Sequence, residues 1–357
     1  MGSCGGKFFP DQTGGGGNTS SGNYLYVANS STSVSSIAGF TIANTALSVL
    51  ANSPYATGVP PNTLAIMPKN TFLYAGSLSG NIYAYTINSD GTLSIANSGS
   101  PVATGVSPVT MKVDPTGQWL IVADLTPQVY VFAINSSTGA LTPQGNALSL
   151  DPGTTSNLYI TPNGNYVFIS LGTGGVDILT FNTGSGVITK QQRLAPKSST
   201  NGDFGLASDP TSKYLFVTET GISAVRVLNI NTTGSSILTE LATSPVPTGL
   251  GPSQVLVTAN GSYVYVTNRT DGTISGFALS ANGALTALSG SPYTTGTAPV
   301  DIVEDNTDAY VAVACAGGNP DMQVFTIDTT TPGKLDAFSS KTTGTDPTLA
   351  SAIVATK

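Results

Sequence analysis

The side chains that can do chemistry in this chain are few, and most are carboxylates: Asp124, Asp203, Glu219 and Asp301, with Arg226 and Arg269 as two of only three arginines. The 357 residues contain no histidine. That absence removes Ser-His-Asp and Cys-His catalysis, histidine general bases and histidine-ligated metals together. A carboxylate can take the base's place when burial raises its pKa, which makes Asp203, Glu219 and Asp301 the candidate bases. An arginine beside them can clamp a substrate carboxylate bidentately, or merely neutralise an acid of the protein itself, Glu219 or Asp271 for example. No cofactor is expected. Were an ion bound, Ca²⁺ held by Asp124, Asp203, Glu219, Asp301 and carbonyl oxygens would suit the donors, although no Asp-x-Asp-x-Asp loop is present. Cys315 has no basic partner in the sequence and reads as a small packed hydrophobe.

The overall balance narrows the partners. Twelve basic against nineteen acidic residues give a net charge of −7 and a pI near 4.4. Nucleic-acid binders present a basic face, so nucleic acid is excluded, and an anionic membrane surface is disfavoured for the same reason. Only 9% of residues are charged while 39% are hydrophobic. The surface must therefore be built from Ser, Thr, Asn and Gly around a sizeable core. With 41 Gly and 22 Pro, turns are frequent, and no apolar run is long enough for a spanning helix.

The elements that position these residues follow from repetition. An aromatic and β-branched run recurs seven times, starting at Tyr24, Phe72, Trp119, Tyr166, Tyr214, Tyr263 and Tyr310, at intervals of 47–49 residues. A short apolar segment precedes each by about eleven residues, as in Pro108–Val113. Between them lies a turn such as Asp114-Pro115-Thr116-Gly117. A third segment alternates apolar and polar residues, as in Val129–Ile134, and hairpin turns such as Asp90-Gly91 and Asn282-Gly283 lead into a fourth. Ser-Pro and Thr-Gly then mark what reads as an outgoing loop, for instance Ser53–Gly58 and Ser291–Gly296. Four strands, here A to D, repeated seven times, predict an all-β, seven-bladed β-propeller with four antiparallel strands per blade over residues 23–357. The first copy begins at strand B, and the segment Pro347–Val354 supplies an unpaired strand A. Blade 1 is thus expected to be closed by the C-terminal strand.

In such a ring the D–A and B–C loops share one face around the central channel. The start of strand A would bring Thr63, Thr110, Asn157, Gln254 and Asp301 there, and the end of strand B Asp124 and Glu219. This set, with Arg226 and Arg269, forms the ligand-binding candidates: amides and hydroxyls suited to a sugar or polar peptide, or simply to satisfying channel backbone and water. Residues 1–22 read as a flexible Gly-rich tether. Cys4, ahead of Gly5-Gly6 and the run Gly14–Gly17, resembles the lipidated cysteine that opens a mature bacterial lipoprotein, which would make the protein extracytoplasmic, periplasmic or at the cell surface, and bound to a membrane only through that anchor.

The strand-B endings Tyr26-Val27-Ala28-Asn29 and Tyr265-Val266-Thr267-Asn268, with the Asp-Pro-x-Gly turns, resemble the YVTN-repeat propellers and the seven-bladed lactonase family that contains bacterial 6-phosphogluconolactonase. The resemblance covers about residues 23–357 and implies a lactone-opening hydrolase whose enzymatic members carry Pro-Arg-His early in a strand A and a Glu beyond the Asn of strand B. Here Phe204-Gly205 stand at the Arg-His positions of the fifth copy. Thr63, Thr110, Asn157, Gln254 and Asp301 stand at the histidine position of other copies, and Thr220, next to Glu219, at the Glu position. The expectation is accordingly a non-catalytic binding or scaffold module, monomeric, tethered at a cell surface, with a protein or polysaccharide ligand. The alternative is a divergent lactonase that uses carboxylates in place of the histidines.

Overall fold

The computed structural model describes residues 22–32, 35–43, 46–200, 202–317, 320–342 and 350–357; the expected tether and Cys4 lie outside them. The seven repeats form seven antiparallel sheets, each with strands in the order A-B-C-D. The A strands of blades 2 to 7 are Thr63–Ile66, Pro108–Val113, Asn157–Ile160, Asp203–Ser208, Pro252–Val257 and Pro299–Glu304. Blade 1 takes its A strand, Ala350–Ala355, from the C-terminus and pairs it antiparallel with Tyr24–Asn29. Each A strand touches the A strands on either side, and the sequence of contacts closes on itself. The chain is therefore a seven-bladed all-β propeller with the A strands lining its channel. Among the described residues no helix is long and apolar enough to cross a membrane.

The periodicity of the repeat explains why the blades stack. Strand B is buried on both faces, as in Phe216 and Val217, because its alternating side chains enter the seams on either side of its own blade. Seven apolar clusters result, one at each seam. The strand-B aromatics also carry a polar end that bonds the C–D hairpin of the next blade. Tyr26 donates to the Gly91 carbonyl at 2.7 Å, Tyr74 to Gly139 at 3.1 Å, Trp119 to Thr183 at 2.7 Å, Tyr214 to Ala281 at 3.1 Å and Tyr265 to Gly333 at 2.7 Å. These residues hold the seams between blades.

Two local readings change. The Ser-Pro segment is not a plain loop: Tyr55–Ala56, Val246–Pro247 and Tyr293–Thr294 pair with the far end of strand C, so strand D continues after an interruption. The serine fills the gap, since Ser53, Ser244 and Ser291 accept the strand-C N–H groups of Gly39, Val227 and Gly276 at 2.8, 3.0 and 2.9 Å. The closing strand is also registered later than its proline suggests. Ala350 stands opposite Asn29, as Pro252 stands opposite Asn268 and Pro299 opposite Cys315. Pairing, not the Pro347 signal, sets its register.

The A–B turns explain several buried carboxylates. Asp114 is fully buried and accepts the N–H groups of Thr116, Gln118 and Trp119 at 3.0, 2.9 and 2.8 Å and the Thr116 hydroxyl at 2.6 Å. Asp209 and Asp305 repeat the arrangement. Asp114→Ala is expected to cost roughly 2–4 kcal/mol, because a charged acceptor is lost and its donors stay buried. A lowered urea midpoint at unchanged slope checks this.

Glu304 ends the A strand of blade 7 at the same face and accepts the N–H of Ala259, in the turn of blade 6, at 2.6 Å. Its other oxygen is buried without a hydrogen-bond partner among the described residues, and burial pushes the carboxyl up to about 7. The folded state thus favours the protonated form. Its stability contribution is intact below the ordinary Glu value and is lost as pH rises from about 4.5 to about 7. Glu304→Gln should remove that loss, leaving the variant more stable than the parent by roughly 2–3 kcal/mol at pH 8 and nearly equal at pH 4.5, as read from denaturation at the two pH values.

Candidate functional site

Register gathers the polar strand-A residues into one ring. Thr63, Thr110, Gln254 and Asp301 stand opposite Gly76, Ala123, Thr267 and Ala314, each the penultimate residue of its strand B. Asn157 stands opposite Ser170, and Ala352 opposite Ala28. In blade 5 the place belongs to Gly205. Seven residues of equal rank thus encircle the channel near the loop face.

The innermost strand has an edge that no further strand covers, and its side chains satisfy that edge. The Asn157, Gln254 and Asp301 oxygens each fold back onto the next residue's N–H, at 2.7 Å to Leu158, 3.2 Å to Val255 and 2.9 Å to Ile302. Across the ring, Asn157 Nδ2 donates to Gln254 Oε1 at 2.8 Å, and Gln254 Nε2 donates to Asp301 Oδ1 at 3.4 Å. The other Asp301 oxygen accepts the Ile353 N–H of the closing strand at 3.0 Å. Gln254 crosses blade 5 to do this. A Cβ at Gly205 would lie 2.6 Å from Gln254 Cα and 2.9 Å from its Oε1, so only glycine leaves the passage open.

Asp301 is half-buried on the channel wall. Burial raises its carboxyl above the usual range, opposed first by the charge of Lys112 and then by the N–H donors and Gln254. Lys112 follows Thr110 by two residues on the same strand and so shares its channel-facing side, one layer further in. Thr63 and Thr110 are buried members of the ring. Of the sequence candidates, then, the fold brings together Asn157, Gln254 and Asp301, flanked by Thr63 and Thr110. Lys112 was missed by sequence reasoning, although its period-two spacing from Thr110 signalled it.

The remaining candidates lie apart from the ring. Glu219 is fully buried; it accepts the Ser198 N–H at 2.5 Å and faces Arg226 at 3.4 Å. Arg226, 3% exposed, also reaches Glu240 at 3.2 Å and the Ala195 carbonyl at 2.9 Å. The arginine does clamp carboxylates, but they belong to the protein, and the cluster ties blade 5 to the preceding D–A loop. Glu219 therefore does not join Asp301 as a second acid. Asp203 stands opposite Glu219 through its backbone, and its side chain lies outside the described set. Asp124 accepts the Ser107 N–H at 3.2 Å, capping its own strand A. Arg269 is exposed on the B–C hairpin of blade 6, where Asp271 instead accepts the Leu250 N–H at 2.7 Å. Cys315 is fully buried, and desolvation pushes its thiol up to about 11, so it is not a thiolate at neutral pH. No three Asp, Glu or Cys side chains converge among the described residues.

Solved structures share this architecture. A protein from Lactobacillus plantarum is 22% identical, with a TM-score of 0.75 over 94% of this chain and 99% of its own. The periplasmic gluconolactonase of Pseudomonas aeruginosa is 19% identical, with a TM-score of 0.75 over 94% and 99%. A 6-phosphogluconolactonase-like protein of Bacteroides uniformis is 16% identical, with a TM-score of 0.77 over 94% and 99%. No curated protein sequence matches. The family model "Lactonase, 7-bladed beta-propeller" matches residues 25–352. That match reaches from the first strand of blade 1 into its closing strand and replaces the expectation of a non-catalytic binding or scaffold module. The chain belongs to the seven-bladed β-propeller lactonase family.

Proposed function

We propose that the protein opens lactone rings by hydrolysis at the loop-face end of its channel, with Asp301 as the general base. The observation that carries this reading is the place of Asp301: it is a carboxylate of raised basicity on the channel wall, at the rank where the family's motif sets a histidine. Asp301 would take a proton from water as the oxygen attacks the lactone carbonyl. It would return that proton to the ring oxygen as the acyl–oxygen bond breaks, giving a hydroxy acid. Lys112 supplies positive charge nearby for the oxyanion. Thr63, Thr110 and Asn157 offer hydroxyls and an amide for the substrate's own hydroxyl groups, which suits a sugar lactone.

The test is the pH dependence of kcat/KM for a sugar δ-lactone. Activity should rise with pH along a limb whose midpoint lies above the ordinary aspartate value, because the base must be ionised. A limb at or below that value would remove Asp301 from the role. We further place the protein outside the cytoplasm, held by lipid on Cys4, a reading supported by the lipoprotein-like start and by the periplasmic location named for the Pseudomonas relative. Gly22 enters at the A–B-turn face, where neighbouring Asn23 bonds Asp305 at 2.6 Å. Cys4→Ser should move the protein from the membrane to the soluble fraction.

A further inference from the structure

We propose that Gln254 is the positioning residue of Asp301, oriented by Asn157 and admitted by Gly205, so that a one-way hydrogen-bond relay running from blade 4 to blade 7 sets the carboxylate's orientation and basicity. The inference rests on the reading of Asp301 as the base, but its geometry stands independently.

The direction of the relay is fixed at its far end. Asn157 Oδ1 is taken by the Leu158 N–H at 2.7 Å, which leaves Nδ2 to face Gln254. A donor there demands an acceptor, so Gln254 presents Oε1, at 2.8 Å, and that oxygen also accepts the Val255 N–H at 3.2 Å. The Gln254 amide nitrogen must then point the other way, toward Asp301 Oδ1 at 3.4 Å. A flipped amide would set donor against donor at Asn157 and oxygen against carboxylate at Asp301. Every donor in the chain therefore points at the carboxylate, which together with the Ile302 and Ile353 N–H groups keeps it ionisable in a site whose burial favours the neutral form.

Few other groups compete for control. The A strands of blades 6 and 1, packed against that of blade 7, carry no charged side chain. Strand B of blade 7 brings Tyr310 and Cys315, strand B of blade 6, which also packs on it, brings Tyr263 and Tyr265, and the strand's own Glu304 stands three residues on at the turn face. The charge of Lys112, on strand A of blade 3, acts on Asp301 and favours its ionised form, and Lys357 lies beyond the end of the closing strand, its backbone N–H bonded to Asn70 at 2.9 Å. Among the described residues neither is hydrogen-bonded to the amides of the relay. Gly205 completes the device, because a side chain there would meet the Ser253 carbonyl at 2.8 Å and push Gln254 off its path.

The experiment follows the Asp301 carboxyl carbon by NMR through a pH titration of the ¹³C-labelled protein, the signal being assigned by its loss in Asp301→Asn. Gln254→Leu removes the donor at nearly constant length, and the midpoint should rise by about half a unit or more. Asn157→Leu should move it the same way by less. Thr110→Val, in the ring but outside the relay, should leave it in place. The acid limb of kcat/KM should follow the NMR midpoint in each variant, whatever KM does. A folded Gln254→Leu protein with an unmoved Asp301 midpoint overturns the relay, and if that variant does not fold, an unmoved midpoint in Asn157→Leu does the same. A parent that titrates as expected but opens no lactone overturns the base assignment alone.

Discussion

Asp301→Asn should lower kcat for lactone opening by roughly 10²–10⁴-fold, the range in which a positioned general base contributes, equivalent to about 3–5 kcal/mol of barrier. The substitution keeps the shape of the side chain and one acceptor oxygen while removing the ability to take a proton. It has a structural cost as well. The two carboxylate oxygens receive N–H groups from both sides, Ile302 at 2.9 Å and Ile353 at 3.0 Å, so the new amide nitrogen must face one donor. That should cost on the order of 1 kcal/mol of stability, too little to unfold a ring of seven blades. Initial rates at saturating lactone, with unchanged circular dichroism, separate the two effects. Glu219→Gln should behave the opposite way. Glu219 is sealed against Arg226, so its loss should lower the melting temperature while leaving kcat near the parental value in whatever fraction stays folded.

Deleting Ala350–Lys357 should prevent stable folding altogether. The strand contributes the inner edge of blade 1, in register from Ala350 opposite Asn29 to Ala355 opposite Leu25. It buries Ala352, Ile353, Val354 and Ala355. Thr356 exchanges bonds of 2.9 Å with the backbone of Tyr24 in both directions, and Lys357 is bound to Asn70. Burial of Ile353 and Val354 alone stabilises by roughly 3–6 kcal/mol, against a total of about 5–15 kcal/mol for an ordinary domain. Removal would also bare the edge of strand B, a template for aggregation. The expected result is insoluble protein or a scan without a cooperative transition. A soluble protein melting at the parental temperature would mean that the ring does not depend on its closure.

The repeat made the fold legible. Seven aromatic runs at nearly constant spacing require one unit repeated, and a first copy lacking strand A beside an orphan strand A at the other end requires closure. The register of that closure was not legible, because the Pro347 signal is local whereas pairing with Asn29 is decided across more than 300 residues of chain. Strand D was misread for a similar reason. Ser-Pro looks like a turn until the serine is seen to fill a gap in the neighbouring strand.

At the site, counting along strand A placed Thr63, Thr110, Asn157, Gln254 and Asp301 at one level without showing which of them touch. Contact between Asn157 and Gln254 skips an entire blade, and its cause is the missing side chain of Gly205, a residue that drew notice only as the place of an absent histidine. Lys112 escaped attention because a lone lysine on a strand carries no motif. Glu219 and Arg226 drew attention as a possible acid and clamp, and the fold joins them to each other because strand B and strand C bring Val217 opposite Arg226, two residues from Glu219.

Lactone opening through Asp301 can be followed by the acid it releases. Proton release during hydrolysis of a sugar δ-lactone at constant neutral pH, measured for the parent and for Asp301→Asn against the spontaneous rate, tests it most directly. The parent should turn over the lactone saturably and the variant at a rate near background. Equal turnover by both proteins, or none by a folded parent across sugar lactones, would contradict it.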